Sequence, residues 1–344
     1  MKATFFKHTL QFKQASGTSR GVLTLKDTWF IKLENNTLKG IGECGMFKGL
    51  SIDHRDDFEL KLKWTCQNID LGLEVLLDQL VSFPSIQFGL EMAFASLNNK
   101  SPFELFPSEF TKGKDSIPIN GLIWMGESSF MKQQIKDKLE GGFSCIKLKI
   151  GALNFERELA LLKSIRNEYD MQTIEIRIDA NGAFKPNEAL EKLKQLSEYN
   201  LHSIEQPIKQ GQIDDMAQLC LDTPIPIALD EELIGIFSVT NKQFLLQTIK
   251  PQYIILKPTL VGGFKGSQQW IDVAESNKIG WWVTSALESN IGLNAIAQWT
   301  YTLNNTLPQG LGTGGLFTNN VQAPLVVRSG RLFYDLKTKW NLKF

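Results

Sequence analysis

Short runs of β-branched and apolar residues alternate with longer segments of helical periodicity from about residue 116 onward. The runs recur at intervals of roughly 24 to 30 residues, which is the size of one βα unit. In chain order they occupy residues 117–124, 144–150, 173–179, 201–205, 225–230, 253–257, 280–285 and 308–312. Eight strands that alternate with helices predict an α/β fold with a closed parallel barrel. A doubly wound open sheet is the alternative.

Two of the intervening segments carry a clear helical pattern. Residues 154–169 place Leu162 and Ile165 on one apolar face. Residues 187–199 open with Asn187, a residue type that favours the N-cap position. Both segments are therefore predicted to be helices between barrel strands.

The first part of the chain lacks this regular alternation of strand-like and helical segments. Two strand-like runs, a glycine-rich stretch and two helical segments follow one another there, at residues 2–12, 21–33, 40–51, 55–80 and 85–98. This α+β pattern predicts a capping domain over residues 1–110 and a barrel domain over residues 111–317. The tail, residues 318–344, contains a predicted hairpin and is expected to pack back on the cap.

Charged residues share one face of the predicted barrel strands. In the run CIKLKI, apolar residues alternate with Lys147 and Lys149, and in TIEIRID isoleucines alternate with charges that include Arg177 and Asp179. Alternate side chains of a strand point to opposite sides, and the side that meets the helices must be apolar. The charges are therefore predicted to point into the barrel.

Three acidic residues close successive predicted strands: Asp179, Glu205 and Asp230. Barrel active sites lie at this end of the strands, and neighbouring strands are only about 5 Å apart. Three carboxylates that converge need a cation, and all-oxygen ligation favours Mg²⁺, with Mn²⁺ as a substitute. Glu231 is predicted either to support this site or to be an acid at the start of a helix, rather than to act as a fourth ligand. The alternative is a set of unrelated solvated acids at loop and helix starts.

Lys149 on the second strand and Lys257 on the sixth lie on opposite sides of the predicted acid cluster. A lysine that faces a dication is disfavoured as an ammonium, so its pKa falls and it can act as a general base. This arrangement predicts abstraction of a proton next to a carboxylate, with the resulting enediolate stabilised by the metal. A pair of salt-bridged structural lysines is the alternative.

The motifs that carry these residues, in order, are KLK at 147–149, DANG at 179–182, EQP at 205–207, LDE at 229–231 and LKP at 256–258. Together they resemble the enolase superfamily, and the two lysines match its muconate-lactonizing-type subgroup. This resemblance extends over nearly the whole chain and implies a modified (β/α)7β barrel with an α+β cap. SALESNIGLNAIAQW and GLGTGGLF, further along, resemble the o-succinylbenzoate synthases of menaquinone biosynthesis.

The resemblance implies a lyase that dehydrates 2-succinyl-6-hydroxy-2,4-cyclohexadiene-1-carboxylate to o-succinylbenzoate. Lys149 would take the α-proton and later protonate the departing hydroxide, and Lys257 would stabilise the enediolate from the other ring face. Asp179, Glu205 and Asp230 would hold Mg²⁺. The residues that would contact or cover the substrate are Lys147, Arg177, Ser285, Gly312, Thr18, Ser19 and Arg20.

Composition narrows the range of partners. Lys plus Arg equals Asp plus Glu at 37 each, so no basic excess points to nucleic acid or to an anionic membrane. The N-terminus lacks the apolar core of a signal peptide. The sequence has no apolar run of about 18 residues, so no membrane-spanning helix is expected. Four scattered cysteines predict free thiols in a cytoplasmic protein. The expected partner is a small-molecule carboxylate, and the oligomeric state stays open.

Two other classes of function are alternatives to this prediction: a related enzyme with the same catalytic residues, and a non-catalytic binding protein. N-succinylamino-acid racemases and dipeptide epimerases use the same lysines and acids, but the epimerases carry an Asp-x-Asp motif where this chain has Gly312, Thr313 and Gly314. A non-catalytic binding protein on this scaffold would have lost a lysine or an acid, and all are present here. GLGTGG is not predicted to bind a dinucleotide, because no βαβ unit follows it.

Overall fold

A computed structural model describes residues 1–18, 21–35, 38–97, 99, 101–124, 126–151 and 154–342. Three antiparallel strands open the fold, β1 (Lys2–Thr18), β2 (Gly21–Asn35) and β3 (Leu38–Cys44). The β1–β2 register shifts between Gln11 and Ser16, where the ladder is irregular. Both long strands extend further than the sequence pattern predicts.

Three helices cover this sheet, α1 (Phe58–Gln67), α2 (Leu73–Gln79) and α3 (Pro84–Leu97). The single helix predicted near residues 55–80 is therefore wrong. The chain breaks into a short 3-10 turn at Ile69–Leu71, and Gly72 adopts a positive φ of 82° before α2 begins. Glycine tolerates this backbone conformation without steric cost, so it separates the two helices.

The barrel contains seven parallel strands in sequential order. After β4 (Ser116–Pro118) they are β5 (Gly121–Ile123), β6 (Cys145–Lys149), β7 (Glu175–Asp179), β8 (Ser203–Glu205), β9 (Ile227–Leu229), β10 (Tyr253–Leu256) and β11 (Gly280–Val283). The predicted barrel class is confirmed.

The eighth predicted strand shortens to two bridging residues, Gln309 and Gly310. The N–H of Gly310 donates to Val283 O at 2.8 Å, and Asn120 N donates to Gln309 O at 3.0 Å. A Cβ atom at Gly310 would lie 1.8 Å from Thr284 Oγ1, so only glycine fits this close approach. These two residues therefore close the ring between β11 and the start of β5, which excludes the open sheet.

The remaining helices are α4 (Ser128–Glu140), α5 (Phe155–Glu168), α6 (Pro186–Ser197), α7 (Ile213–Asp222), α8 (Val239–Ile249), α9 (Pro258–Val261), α10 (Gly263–Ser276) and α11 (Asn290–Thr302). The prediction that Asn187 is the N-cap residue of α6 is wrong. Helix α6 already begins at Pro186, and the Glu188 carboxylate accepts from Lys185 N at 3.3 Å. Proline suits the first helical position, because an N–H group at this position would have no acceptor within the helix and proline therefore loses no hydrogen bond.

The tail contains a hairpin, β12 (Leu325–Arg328) and β13 (Arg331–Tyr334), whose second strand pairs with β4. Ahead of the hairpin, Thr318 N donates to Gln11 O of β1 at 2.9 Å, next to the bridge between Phe317 and Phe12. The tail therefore contacts both the N-terminal sheet and the first part of the barrel.

The apolar positions of the barrel strands are buried, as predicted. Ile146 and Leu148 of β6 and Ile176 and Ile178 of β7 are at most 1% exposed. Each such side chain contributes about 2 kcal/mol by leaving water. The four cysteines are free thiols, as predicted. No helix within the described ranges is both long and apolar enough to cross a membrane.

Candidate active site

The parallel register brings the predicted acids and lysines to one end of the barrel. Lys149 of β6 lies beside Asp179 of β7, and Asp179 lies beside Glu205 of β8. Asp230 directly follows β9, and Lys257 directly follows β10. The three acids are at most 2% exposed, so their charges require partners inside the protein.

Three lysines provide those partners. The Lys147 ammonium lies between two acids, 2.9 Å from Asp179 Oδ2 and in close contact with Glu205. Lys149 Nζ lies 3.1 Å from Asp179 Oδ2, and Lys257 contacts Asp230 closely. The structure therefore brings together all five residues predicted for catalysis and metal binding, and Lys147, predicted to bind substrate, lies between two of the acids.

The electrostatic environments of neighbouring acids differ. Burial alone would raise the pKa of Asp179, but Lys147 and Lys149 outweigh burial and hold this pKa well below its usual range. Burial and the Asp179 carboxylate together raise the pKa of Glu205 well above its usual range, and Lys147 opposes only part of this rise. Nearby positive charge therefore compensates Glu205 less fully than it compensates Asp179.

The lysine pKa values reflect the same cluster. Burial would lower the pKa of Lys147, but Asp179 and Glu205 outweigh burial and raise this pKa. Burial likewise opposes a rise in the pKa of Lys257 that Asp230 and Glu205 cause. A dication bound nearby would lower the pKa of these lysines only if its effect exceeded the rise that the carboxylates cause.

Two side chains that sequence reasoning missed support the site. Asn181 Oδ1 accepts from Lys149 Nζ at 2.6 Å, and its Nδ2 donates to Glu231 Oε1 at 3.1 Å. The Gln206 Oε1 atom accepts from the backbone N–H of Asp230 at 3.2 Å. Both residues lie inside the DANG and EQP motifs, and both have a positive φ. Their place one or two residues after a predicted metal ligand was the available signal.

An open pocket lies above this cluster. It encloses about 830 Å³ of empty space, a volume that includes the solvent at its open mouth. Its polar wall is formed by Lys147, Lys149, Asp179, Asn181 and Lys257. The rest of the lining is Phe47, Leu50, Asn120, Leu122, Trp124, Thr284, Ser285, Ala286, Leu287, Gly310, Gly312 and Thr313. The pocket therefore combines a charged end with a largely apolar remainder, and Phe47 and Leu50 reach it from the first 110 residues.

The predicted substrate residues have different outcomes. Lys147, Ser285 and Gly312 line the pocket. Thr18 ends β1, but its side chain, Ser19 and Arg20 lie outside the described residues. The structure therefore brings three of the predicted substrate residues to the site, and the roles of Thr18, Ser19 and Arg20 stay predictions.

Arg177 does not join the pocket wall, contrary to expectation. Its Nε donates to Glu175 Oε1 at 2.7 Å, and its Nη1 donates to Pro308 O at 2.8 Å. The guanidinium lies 4.3 Å from the Trp282 ring centroid. Strand parity correctly predicted an inward side chain, but these contacts turn it toward the start of β7 and away from Asp179. They indicate a structural role inside the barrel.

The acids fit a divalent cation by their chemistry and charge. Within the described ranges, no three carboxylate, imidazole or thiol side chains are already gathered as a metal site. The Lys147 ammonium instead occupies the space between Asp179 and Glu205, which shows that this space accepts a cation. Glu205 Oε1 is buried without a hydrogen-bond partner among the described residues. An all-oxygen set with an unsatisfied carboxylate suits a hard cation.

Known proteins resemble this chain over most of its length. The family model described as "Enolase C-terminal domain-like" matches residues 131–335. An o-succinylbenzoate synthase from Desulfotalea psychrophila is 45% identical over 96% of this chain and 98% of that protein. The crystal structure of MenC from Desulfotalea psychrophila has a TM-score of 0.87 and 43% identity, covering 97% of this chain and 99% of that one.

A more distant structure shares the fold. The dipeptide epimerase from Enterococcus faecalis, determined in complex with Mg and the dipeptide L-Leu-L-Tyr, has a TM-score of 0.83. It is 19% identical to this chain and covers 96% of each chain. At this identity the likeness concerns the fold alone.

Proposed function

This chain belongs to the enolase superfamily, and from that premise we propose that it dehydrates 2-succinyl-6-hydroxy-2,4-cyclohexadiene-1-carboxylate to o-succinylbenzoate. The observation that carries this proposal is the 45% identity to an o-succinylbenzoate synthase over 96% of the chain. The pocket supports it, because lysines from opposite sides of the barrel meet buried acids beside an apolar space. The reaction would make this chain a hydro-lyase of menaquinone biosynthesis.

Lys149 is the proposed general base. In its neutral form it would take the proton from the ring carbon that bears the carboxylate, leaving an enediolate. The resulting ammonium would then give a proton to the hydroxyl at the neighbouring carbon as the C–O bond breaks. One C–H bond and one C–O bond are lost, water leaves and the ring becomes aromatic. Asp179 and Asn181 support this role by fixing Lys149 Nζ at 3.1 and 2.6 Å.

Lys257 is proposed to act from the opposite side of the substrate. It follows β10, four strands away from β6 in the ring. As an ammonium it would stabilise the negative charge of the enediolate, and Asp230 holds it in place.

Asp179, Glu205 and Asp230 are proposed to hold a divalent cation. Mg²⁺ suits their oxygen donors, and Mn²⁺ is proposed as a substitute. When bound, the ion would neutralise the substrate carboxylate and the second negative charge of the enediolate. Glu231 contacts Asn181 and is proposed to support the site rather than to bind the ion.

The rest of the pocket is proposed to bind the ring and the succinyl group. Lys147, Ser285 and Gly312 would contact the substrate, and Thr18, Ser19 and Arg20 would cover it and exclude water. In this proposal residues 1–110 and the tail 318–344 form the capping domain over the barrel of residues 111–317.

The general-base assignment is tested with Lys149→Ala, with Lys163→Ala at an exposed position of α5 as the matched control. We expect Lys149→Ala to lower kcat by about a thousandfold while the thermal unfolding temperature and Mg²⁺ affinity stay near wild type. Lys163→Ala should keep full activity. A Lys149→Ala enzyme with near wild-type turnover would show that another group takes the proton.

A further inference from the structure

Two glutamates are fully buried where the N-terminal sheet meets the barrel. Glu43 belongs to β3, and Glu288 lies just before α11. Neither residue lines the active-site pocket. A buried carboxylate is costly unless hydrogen bonds or charges compensate it, so the contacts of these two residues show what they hold in place.

Glu43 fixes the start of α11 from the cap side. Its Oε1 accepts from Ser289 N and from Thr28 Oγ1, both at 2.9 Å, and its Oε2 accepts from Gly292 N at 2.9 Å. The first N–H groups of a helix have no partner within the helix, and a negative charge is favoured there. Glu43 therefore joins β3 rigidly to the segment that contains Glu288.

Glu288 in turn holds the pocket wall. Its Oε2 accepts from Ser285 Oγ at 2.7 Å and from Ala286 N at 2.9 Å. Its Oε1 accepts from Thr259 Oγ1 in a close contact. Ser285 and Ala286 line the pocket directly after β11, while Thr259 lies two residues beyond Lys257.

A buried lysine from β2 balances these acids. The Lys26 ammonium donates to Gly45 O at 3.2 Å, and Lys26 is 7% exposed. Burial lowers the pKa of Lys26, while the charges of Glu43 and Glu288 oppose this. The same lysine opposes the rise that burial causes in the pKa of Glu288. One cation from the cap thus faces both glutamates.

These contacts use the whole hydrogen-bonding capacity of the Ser285 hydroxyl. Its proton goes to Glu288, and its oxygen accepts from Leu287 N and from Thr313 Oγ1, both at 2.9 Å. A serine hydroxyl has one proton and two lone pairs, so no further bond is available without breaking one of these. The orientation of Ser285 therefore also determines where Thr313 points.

We propose that Glu288 is a positioning residue of the active site. It fixes Ser285, and through Ser285 it fixes Thr313, so that two neighbouring parts of the pocket wall keep one shape for the substrate. Lys26 and Glu43 stabilise this arrangement from the cap, so the cap shapes the pocket through buried contacts as well as through lining residues. This inference rests on the proposed function for the identity of its substrate.

A double-mutant cycle tests whether Glu288 acts through Ser285. Glu288→Gln keeps the size of the side chain but cannot accept all three hydrogen bonds, and we expect KM to rise about tenfold with kcat changed less than about threefold. Glu288→Gln combined with Ser285→Ala should be no worse than Ser285→Ala alone.

Glu91→Gln is the matched control for a purely structural loss. Glu91 is another buried glutamate of the cap, and it accepts from Lys265 N at 2.9 Å at the start of α10. This variant should change stability and leave KM unchanged. The proposal is overturned if Glu288→Gln changes KM no more than Glu91→Gln, or if the effects of Glu288→Gln and Ser285→Ala on kcat/KM simply add.

Amide hydrogen exchange gives a readout that does not need the reaction. In Glu288→Gln we expect the amides of Ala286 and Leu287 to exchange about tenfold faster than in wild type, and Glu91→Gln should leave them unchanged. Unchanged exchange in Glu288→Gln overturns the positioning role. Absence of wild-type turnover, by contrast, would count against the proposed function alone.

Discussion

Glu91 gives stability a pH dependence of predictable sign. Its carboxylate on α3 is buried against the start of α10, where it accepts from Lys265 N at 2.9 Å and, in a close contact, from Phe264 N. Burial raises the pKa of Glu91 from 4.5 to about 7, and the two backbone N–H groups oppose this only in part. The folded protein therefore holds a proton that the unfolded chain has already released.

The size of the effect follows from that difference in pKa. At pH values between the unfolded and the folded pKa of Glu91, the native state binds more protons than the unfolded chain. The stabilisation that Glu91 contributes is therefore complete below the unfolded pKa and is lost as pH rises through the folded pKa. The full loss is about 3 kcal/mol, and the part between about pH 5.5 and about pH 8 is about 2 kcal/mol. Glutamine does not titrate, so Glu91→Gln removes this contribution.

Urea unfolding followed by tryptophan fluorescence at both pH values measures the effect. The unfolding free energy of wild type minus that of Glu91→Gln should be smaller at about pH 8 than at about pH 5.5 by about 2 kcal/mol. Glu198→Gln, an exposed position at the end of α6, is the control and should show no such change. A difference that is independent of pH, or that grows with pH, would contradict a raised pKa of Glu91 in the folded protein.

Three further variants test the site and the barrel interior. Asp230→Asn should weaken Mg²⁺ binding by at least about tenfold in calorimetry, and unchanged affinity would remove Asp230 from the metal site. Lys257→Ala should lower kcat/KM by about a hundredfold with Mg²⁺ binding retained, and wild-type kinetics would contradict its role in stabilising the enediolate. Arg177→Met should cost about 3 kcal/mol of unfolding free energy, because it breaks the contact with Glu175, while KM changes little. A large rise in KM in this variant would show that Arg177 contributes to substrate binding after all.

The alternation of side chains made the charged end of the barrel predictable. A helix-facing barrel side must be apolar, so the inward direction of Lys149 and Asp179 follows from the sequence alone. The acids are brought together because parallel strands end at the same rim, which is why Glu205 and Asp230 could be predicted from their places in two short motifs.

Contacts between distant parts of the chain were beyond such reasoning. Parity gives the face of Arg177, but its turn toward Pro308 depends on the packing of β7 against a segment 131 residues away. The link between Glu43 and Ser289 spans 246 residues, and no local pattern marks it. The start of α6 was misplaced because Pro186 and Glu188 together outweigh Asn187 as a starting signal.

The proposed dehydration is tested by turnover of the cyclohexadiene carboxylate by the purified chain, followed by absorbance, with Mg²⁺ and with EDTA. We expect rapid formation of o-succinylbenzoate with Mg²⁺, loss of activity in EDTA and recovery when Mg²⁺ is restored. A folded protein that binds Mg²⁺ but does not form o-succinylbenzoate would contradict the proposed reaction and direct attention to N-succinylamino acids and dipeptides. Turnover that EDTA leaves unchanged would contradict the three-acid metal site.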